Sequence, residues 1–313
     1  MGVDVGGTKI AAAVVSPEGE VLSEVRYPTP HSPEKLVDAV VRAVKEVGDG
    51  NEVAGACLAA PGFVMTEENA VVFSPNLHAI EGIPLRDRIE PEIGMPLVVE
   101  NDASAGAWGE FRFGSGSGVE HLVFLALGTG IGGGVISHGV LLRGAQGAGG
   151  ELGHVTVQAD GPPCACGNRG CLEALASGTA IGRRGREAAV EAPDSALGRI
   201  AARRTLLGED VTELARGGDG AALSVLEETG RWLGVGLAGF VNVFNPEVVA
   251  VGGGAMAAGE MILAPARREM HHRARSPSRD LAEVRPAALG PRSGVLGAAA
   301  LARDEHGKLV LGG

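Results

Sequence analysis

Three cysteines fall within eight residues, at Cys164, Cys166 and Cys171, with His154 ten residues upstream, in a stretch rich in glycine and proline. One imidazole and three thiols are the ligand set and number that close a tetrahedral zinc site without leaving a position for water, so the site predicted here is structural. A loop folded around one ion also fixes its flanks. Glu151 stands three residues before His154 and Glu173 two residues after Cys171, which would hold two carboxylates at set positions, suited to accepting hydrogen bonds from hydroxyl groups. A single cysteine is more often core than ligand, and Cys57, inside the apolar run 53–60, reads as a core thiol. The competing reading of the cluster is a disulfide framework; four cysteines in 313 residues, with no secretory signal, argue against it.

With 313 residues, 45% of them hydrophobic, the chain can bury a large core and is expected to form about two domains. The division expected is a small α/β domain over 1–115 and a large one over 116–313, with a helix near 294–303 as a candidate to return to the small domain. A formal net charge of −11 argues against nucleic acid, and the arginines of 268–279 read as a solvated helix surface. The apolar stretch 122–142 is long enough for a membrane span, but its six glycines and one histidine make it a poor helix, and two glycine-linked strands fit better. With no targeting segment at the N-terminus, a cytoplasmic protein is expected.

Gly2 to Val5 is a short apolar strand that runs into Gly6-Gly7-Thr8-Lys9, followed by strands at 10–15 and 21–26. The first turn of this meander exposes backbone N–H groups, a hydroxyl and an ammonium beside Asp4, a setting that suits a metal-bound polyphosphate. It is not a Walker loop, since the spacing differs and a strand follows it. Alone, such a turn is an ordinary hairpin; Asp4 at its entrance favours the ligand reading. Gly128 to Gly134, reading GTGIGGG, contains the dinucleotide pattern, with Glu151 at the distance of a ribose-binding acid. That motif needs a helix after it, and residues 135–142 continue as strand, so a second phosphate turn is the better reading, with Thr129 in the part of Thr8. Gly252-Gly253-Gly254, between a strand at 248–251 and a helix near 255–270, lets a flat ligand approach the backbone.

A helix is predicted from Pro33 to Gly48, a strand over 53–59 ending at Pro61-Gly62, and a turn at Ser74-Pro75-Asn76. A strand over 96–100 delivers Asn101-Asp102 at its C-terminal end, where ligands gather in α/β sheets, ahead of a helix over 103–111. Asp102 reads equally as the cap of that helix, and Asn101 would add a donor and an acceptor for a ligand hydroxyl. Beyond Glu173 the chain turns helical within 179–204, at 212–216 and over 221–244, where Asn245-Pro246 stops it; a small-residue helix at 294–302 precedes a loose tail, 305–313.

Taken together, D-x-G-G-T-K at Asp4 to Lys9, Pro61-Gly62, Asn101-Asp102, GTGIGGG, GGELGH at Gly149 to His154, CACGNRGCLE at Cys164 to Glu173 and NPEVVAVGGG at Asn245 to Gly254 resemble the ROK family of sugar kinases, repressors and related proteins. The resemblance covers nearly the whole chain and is strongest to bacterial ATP-dependent glucokinases. One departure is that only Met1 to Val3 precede Asp4, where the family usually has several residues more.

The resemblance implies an α/β fold of the actin-like ATPase (ribonuclease H-like) type: two domains with an interdomain cleft, each giving a glycine-rich hairpin to the nucleotide phosphates, and a zinc loop. It implies that Asn76, Asn101, Asp102, Glu151, His154 and Glu173 contact the sugar, Asp102 as general base, with His154 serving both zinc and sugar. Asp4, Gly6, Gly7, Thr8, Lys9, Gly128, Thr129, Gly130, Gly252 and Gly253 would lie along the nucleotide. Structural Zn²⁺ on His154, Cys164, Cys166 and Cys171, and Mg²⁺ with ATP, complete the site. The partners expected are glucose or a related hexose and ATP, with no nucleic acid or membrane, in a homo-oligomer (dimer or tetramer).

The reaction expected is phosphorylation of glucose to glucose 6-phosphate. A primary hydroxyl is a weak nucleophile, and the transfer needs alignment, charge neutralisation by Mg²⁺ and a base, for which an aspartate with a pKa of about 4 is ionised at neutral pH. The alternatives are another kinase of the family, acting on N-acetylmannosamine, fructose or mannose, and a catalytically silent zinc-stabilised sugar-binding protein. Asp102, Lys9 and both phosphate turns together argue against the silent protein. A sugar-sensing repressor would need a helix-turn-helix ahead of the first turn, for which no room is expected.

Overall fold

Strands buried on both faces read as continuous apolar runs, and the N-terminal sheet is built from them except at its edge strand, which is polar and partly exposed. The computed structural model describes residues 1–65, 70–74 and 77–311, with side chains described through Glu305. Strands β1 (Gly2–Val5), β2 (Lys9–Val15) and β3 (Val21–Pro28) form the expected antiparallel meander. β4 (Ala56–Ala60) lies parallel to β1; β5 (Phe63–Met65) and β6 (Ala70–Phe73) make a separate ribbon; and β7 (Leu97–Asn101) completes the order β3-β2-β1-β4-β7.

Helix α1 (Pro33–Gly48) buries Leu36, Val37, Val40, Val44 and Val47 in the core of this sheet, with proline at the first helical position as predicted. Helix α2 (Leu85–Ile93) was not legible in the sequence, because it buries only Leu85 and Ile89 and carries Pro91 in its last turn. Helix α3 (Asp102–Phe113) follows β7 directly. It crosses the C-terminal helix (Ser293–Leu311) at glycines. A side chain on Gly297 would strike the Ala105 carbonyl, and one on Gly109 would come within 2.5 Å of the Ser293 carbonyl, so the two backbones touch. The same C-terminal helix lays the Val295 carbonyl against Gly2 of β1. It corrects the loose tail expected from residue 305: the helix runs on to Leu311. Buried Leu301 and Ala302 hold it, and the acidic residues after them find partners, Asp304 at 3.0 Å from Trp108 Nε1 and Glu305 at 3.4 Å from Arg143.

The stretch 122–142 forms strands, but three where two were expected, because the His138-Gly139 turn splits the second. β8 (Leu122–Leu127), β9 (Ile131–Ser137) and β10 (Val140–Leu141) join β11 (Val248–Gly252) and β12 (Glu283–Pro286) in the order β10-β9-β8-β11-β12. β12 escaped prediction because it is short, charged and ends in proline, the composition of an edge strand. Helices α4 (Leu172–Ala176), α5 (Gly178–Glu191), α6 (Ala196–Ala201), α7 (Gly208–Arg216), α8 (Gly220–Phe244) and α9 (Glu260–Arg273) complete the region. α9 starts later than its sequence pattern suggested, since Gly254–Ala258 first makes a 3₁₀ turn. Among the described residues no helix is long and apolar enough to cross a membrane. The chain divides into two compact units, one of residues 1–119, 134–150 and 288–313, the other of residues 120–133 and 151–287.

Candidate active site and metal centre

In the first unit, β7 delivers the residue expected to act as base. Its last residue, Asn101, caps α3: Oδ1 accepts from the Ser104 N–H at 2.9 Å, and Nδ2 donates to the Gly62 carbonyl at 2.9 Å. Asp102, the other candidate for the cap, is instead the first helical residue, its Oδ1 accepting from the Ala103 N–H at 2.8 Å. The amide suits the cap because it accepts from the helix and donates to the Pro61-Gly62 turn at once, whereas a carboxylate only accepts. A carboxylate in the first turn also lies at the positive end of the helix dipole, which favours its ionised form.

Behind these two residues stands a charge that the sequence reading missed. Glu100 is fully buried, accepting from Arg143 Nε at 2.7 Å and from the Asn101 N–H at 2.9 Å. Burial raises its pKa, and the Arg143 guanidinium beside it pulls the other way. The one local signal was a glutamate closing an otherwise apolar strand.

The first glycine turn, expected to face phosphates, is closed by the Gly6 N–H donating to the Lys9 carbonyl at 2.9 Å. Thr29, also unnoticed in the sequence, ties it from behind, its hydroxyl on the Gly6 carbonyl at 2.6 Å and its N–H on the Thr8 carbonyl at 3.1 Å. Thr8 and Lys9 are exposed. Asp4, on β1 beside them, is pushed up to about 6 by burial, against the pull of Lys9.

In the second unit, the Gly128 N–H donates to the Gly130 carbonyl at 2.9 Å, closing the second turn between β8 and β9. Glu173 reaches this turn, its Oε2 accepting from the Ile131 N–H at 2.9 Å. Gly252 ends β11, and Gly253 follows at φ 90°, a conformation open to glycine, where a β-carbon would come within 2.4 Å of the Leu127 carbonyl oxygen.

The four predicted metal ligands come together. The donor atoms of His154, Cys164, Cys166 and Cys171 all lie within 4.8 Å of one another, so the group can hold one metal ion. His154 Nδ1 faces Cys164 Sγ at 3.8 Å, and Cys166 Sγ lies 3.7 Å from Cys171 Sγ, all as free thiols. Backbone bonds shape the loop, the Cys164 N–H to the Asn168 carbonyl at 2.8 Å and the Leu172 N–H to the Val155 carbonyl at 2.9 Å. Both flanking carboxylates are near. Glu151 Oε2 is 4.0 Å from His154 Nε2, and Glu173 Oε1 accepts from the Cys164 thiol at 3.4 Å. Burial raises the Glu151 pKa, while His154 lowers it. Cys57 is buried in the other unit, as a core thiol. Asn76 lies outside the described residues.

Residues 1–305 match the profile of the ROK family. The chain belongs to the ROK family. Among its relatives, the glucokinase of Streptomyces coelicolor is 40% identical over 97% of both chains. That of Thermotoga maritima is 38% identical over 98% of both. Among solved structures, a ROK family glucokinase from Streptomyces griseus in complex with glucose and AMPPNP superposes with a TM-score of 0.84 at 40% identity, covering 97% of this chain and 98% of that one. The fold of this ROK protein is therefore the α/β, two-domain, actin-like ATPase fold.

Proposed function

We propose that this ROK protein is an ATP-dependent glucokinase that transfers the γ-phosphoryl group to the 6-hydroxyl of glucose. The observation that carries the reading is 40% identity across 97% of both chains to the Streptomyces coelicolor glucokinase. In this reading Asp102 is the general base. Its place in the first turn of α3 supports that role, because Asn101 already supplies the cap and leaves the carboxylate at the N-terminal end of the helix, where negative charge is favoured. Asn76, Asn101, Glu151, His154 and Glu173 bind sugar hydroxyls, and the turns at Asp4 to Lys9 and Gly128 to Gly130, with Gly252 and Gly253, line the nucleotide. Mg²⁺ accompanies ATP and neutralises the charge that develops on the phosphates.

The metal assigned to His154, Cys164, Cys166 and Cys171 is structural zinc. A tetrahedron with zinc–sulfur bonds of about 2.3 Å has sulfur–sulfur edges of about 3.8 Å, and the Cys166–Cys171 separation is 3.7 Å. With Nδ1 of His154 turned to the thiols, Nε2 remains to carry a proton toward Glu151 or a sugar hydroxyl. Free thiols and dependence on ATP fit a cytoplasmic protein, and a homo-oligomer is proposed with it.

A coupled ADP-release assay across glucose, mannose, fructose, N-acetylglucosamine and N-acetylmannosamine tests the reading. Glucose is expected to give the highest kcat/KM. A clear preference for another sugar overturns the choice of glucose, and no ADP release with any of them overturns the kinase.

A further inference from the structure

The second phosphate turn is held by its carbonyls. Helix α5 begins at Gly178, and the first N–H groups of a helix have no partner within it. Here they find the turn: Gly178 N–H donates to the Gly128 carbonyl at 2.8 Å and Thr179 N–H to the Thr129 carbonyl at 3.4 Å. The Thr179 hydroxyl adds a shorter bond to that same Thr129 carbonyl, at 2.7 Å.

In a planar trans peptide the carbonyl and the following N–H point in opposite directions. Tying the Gly128 and Thr129 carbonyls to the start of α5 therefore turns the N–H groups of Thr129 and Gly130 to the far side of the turn. Two successive N–H groups facing one way form a concavity that accepts an anion such as a phosphate. The next N–H, of Ile131, is taken by Glu173 at 2.9 Å, so two neighbouring donors remain directed outward.

We propose that Thr179 is a positioning residue for nucleotide binding: its hydroxyl, bonded to the Thr129 carbonyl, fixes the direction in which the second turn presents its N–H groups to the phosphates. The proposal rests on the kinase reading. It also means that the segment closing the metal loop, from Cys171 through α4 to Thr179, supports the nucleotide side of the second unit as well as Glu173.

The test compares full-length Thr179→Val and Thr179→Ser with the wild type. Valine keeps the shape and removes the donor; serine keeps the donor. By calorimetry, Thr179→Val is expected to weaken Mg·ADP binding about tenfold, the effect of losing one hydrogen bond, and to leave glucose affinity within about twofold. Thr179→Ser is expected to stay within about threefold of wild type for Mg·ADP. Without ligand, amide hydrogen exchange over 127–131 should quicken in the valine variant only, which a residue acting solely by direct contact with nucleotide would not produce. Unchanged Mg·ADP affinity in Thr179→Val, an equal loss for glucose, or a serine variant as weak as valine overturns the proposal. A wild type that does not bind Mg·ADP at all overturns the kinase reading and this proposal with it.

Discussion

A β-carbon placed on Gly294 would lie 2.7 Å from a carboxylate oxygen of Asp4. The strand that carries the first phosphate turn and the first turn of the C-terminal helix meet there with no space for one methyl group. Gly294→Ala must move either the carboxylate or the helix. Overpacking of this kind costs about 1–3 kcal/mol. Chemical denaturation should register that loss, and calorimetry should register weaker Mg·ATP binding if the Asp4 carboxylate is what moves, and unchanged binding if the helix moves.

Asp4 also gives the fold a pH dependence. Its folded pKa, about 6, lies above the ordinary 3.8 because burial disfavours the charge. The fold then holds the proton more tightly than the unfolded chain, so stability is greatest below the unfolded value and is lost as pH rises through the folded one. Asp4→Asn removes that loss. In ligand-free protein, its Tm advantage over wild type should be smallest near pH 4 and largest above about 6. A difference that stays constant over that range would show that Asp4 does not titrate this way.

Asp102→Asn should lower turnover by at least about a hundredfold, the span for loss of a general base, with Tm nearly unchanged. Asn101→Ala should behave differently, costing about 1 kcal/mol or more of stability, since it removes the helix cap together with the bond to Gly62. Measured side by side, the Tm difference between the two variants separates the cap from the base. Residual turnover above about a tenth in Asp102→Asn would exclude it as base.

Removal of the metal should lower Tm and weaken glucose binding, because the cluster shapes the loop between Glu151 and Glu173. It should weaken Mg·ADP binding as well, since Glu173 bonds to Ile131 of the second phosphate turn. Metal analysis of the purified protein should give about one zinc per chain. A chelated protein with unchanged Tm would refute a structural metal.

Arg143→Met should destabilise the protein by about 3–5 kcal/mol, because it leaves Glu100 buried without its partner. Adding Glu100→Gln should recover part of that loss, and urea denaturation of both single variants and the double variant measures the coupling. No recovery would mean that Arg143 acts mainly through Glu305.

Much of this was legible along the chain. Apolar runs broken by glycine marked the meander and both glycine turns, and the spacing of Cys164, Cys166 and Cys171 with His154 marked a cluster that folding brings within reach of one ion. What periodicity could not supply were partners distant in sequence. Glu100 finds Arg143 after 43 residues, and Thr179 finds Thr129 after 50. The choice of Asn101 over Asp102 as cap likewise depended on the Gly62 carbonyl, which no local pattern places beside it. α2 and β12 were missed for the opposite reason, their local patterns being too weak to outweigh proline and charge.

The glycine crossing of α3 with the C-terminal helix also bears on synthesis. β1 precedes by nearly the whole sequence the backbone that covers Gly2 and seats against Gly109, which comes from residues 293–299. A nascent chain can pair β1, β2 and β3 early, but the platform under Asp4 and Asp102 closes only when the helix from Ser293 arrives. Truncated products lacking that helix should accordingly be protease-sensitive and inactive, so that catalytic competence waits on a segment far from both carboxylates in sequence.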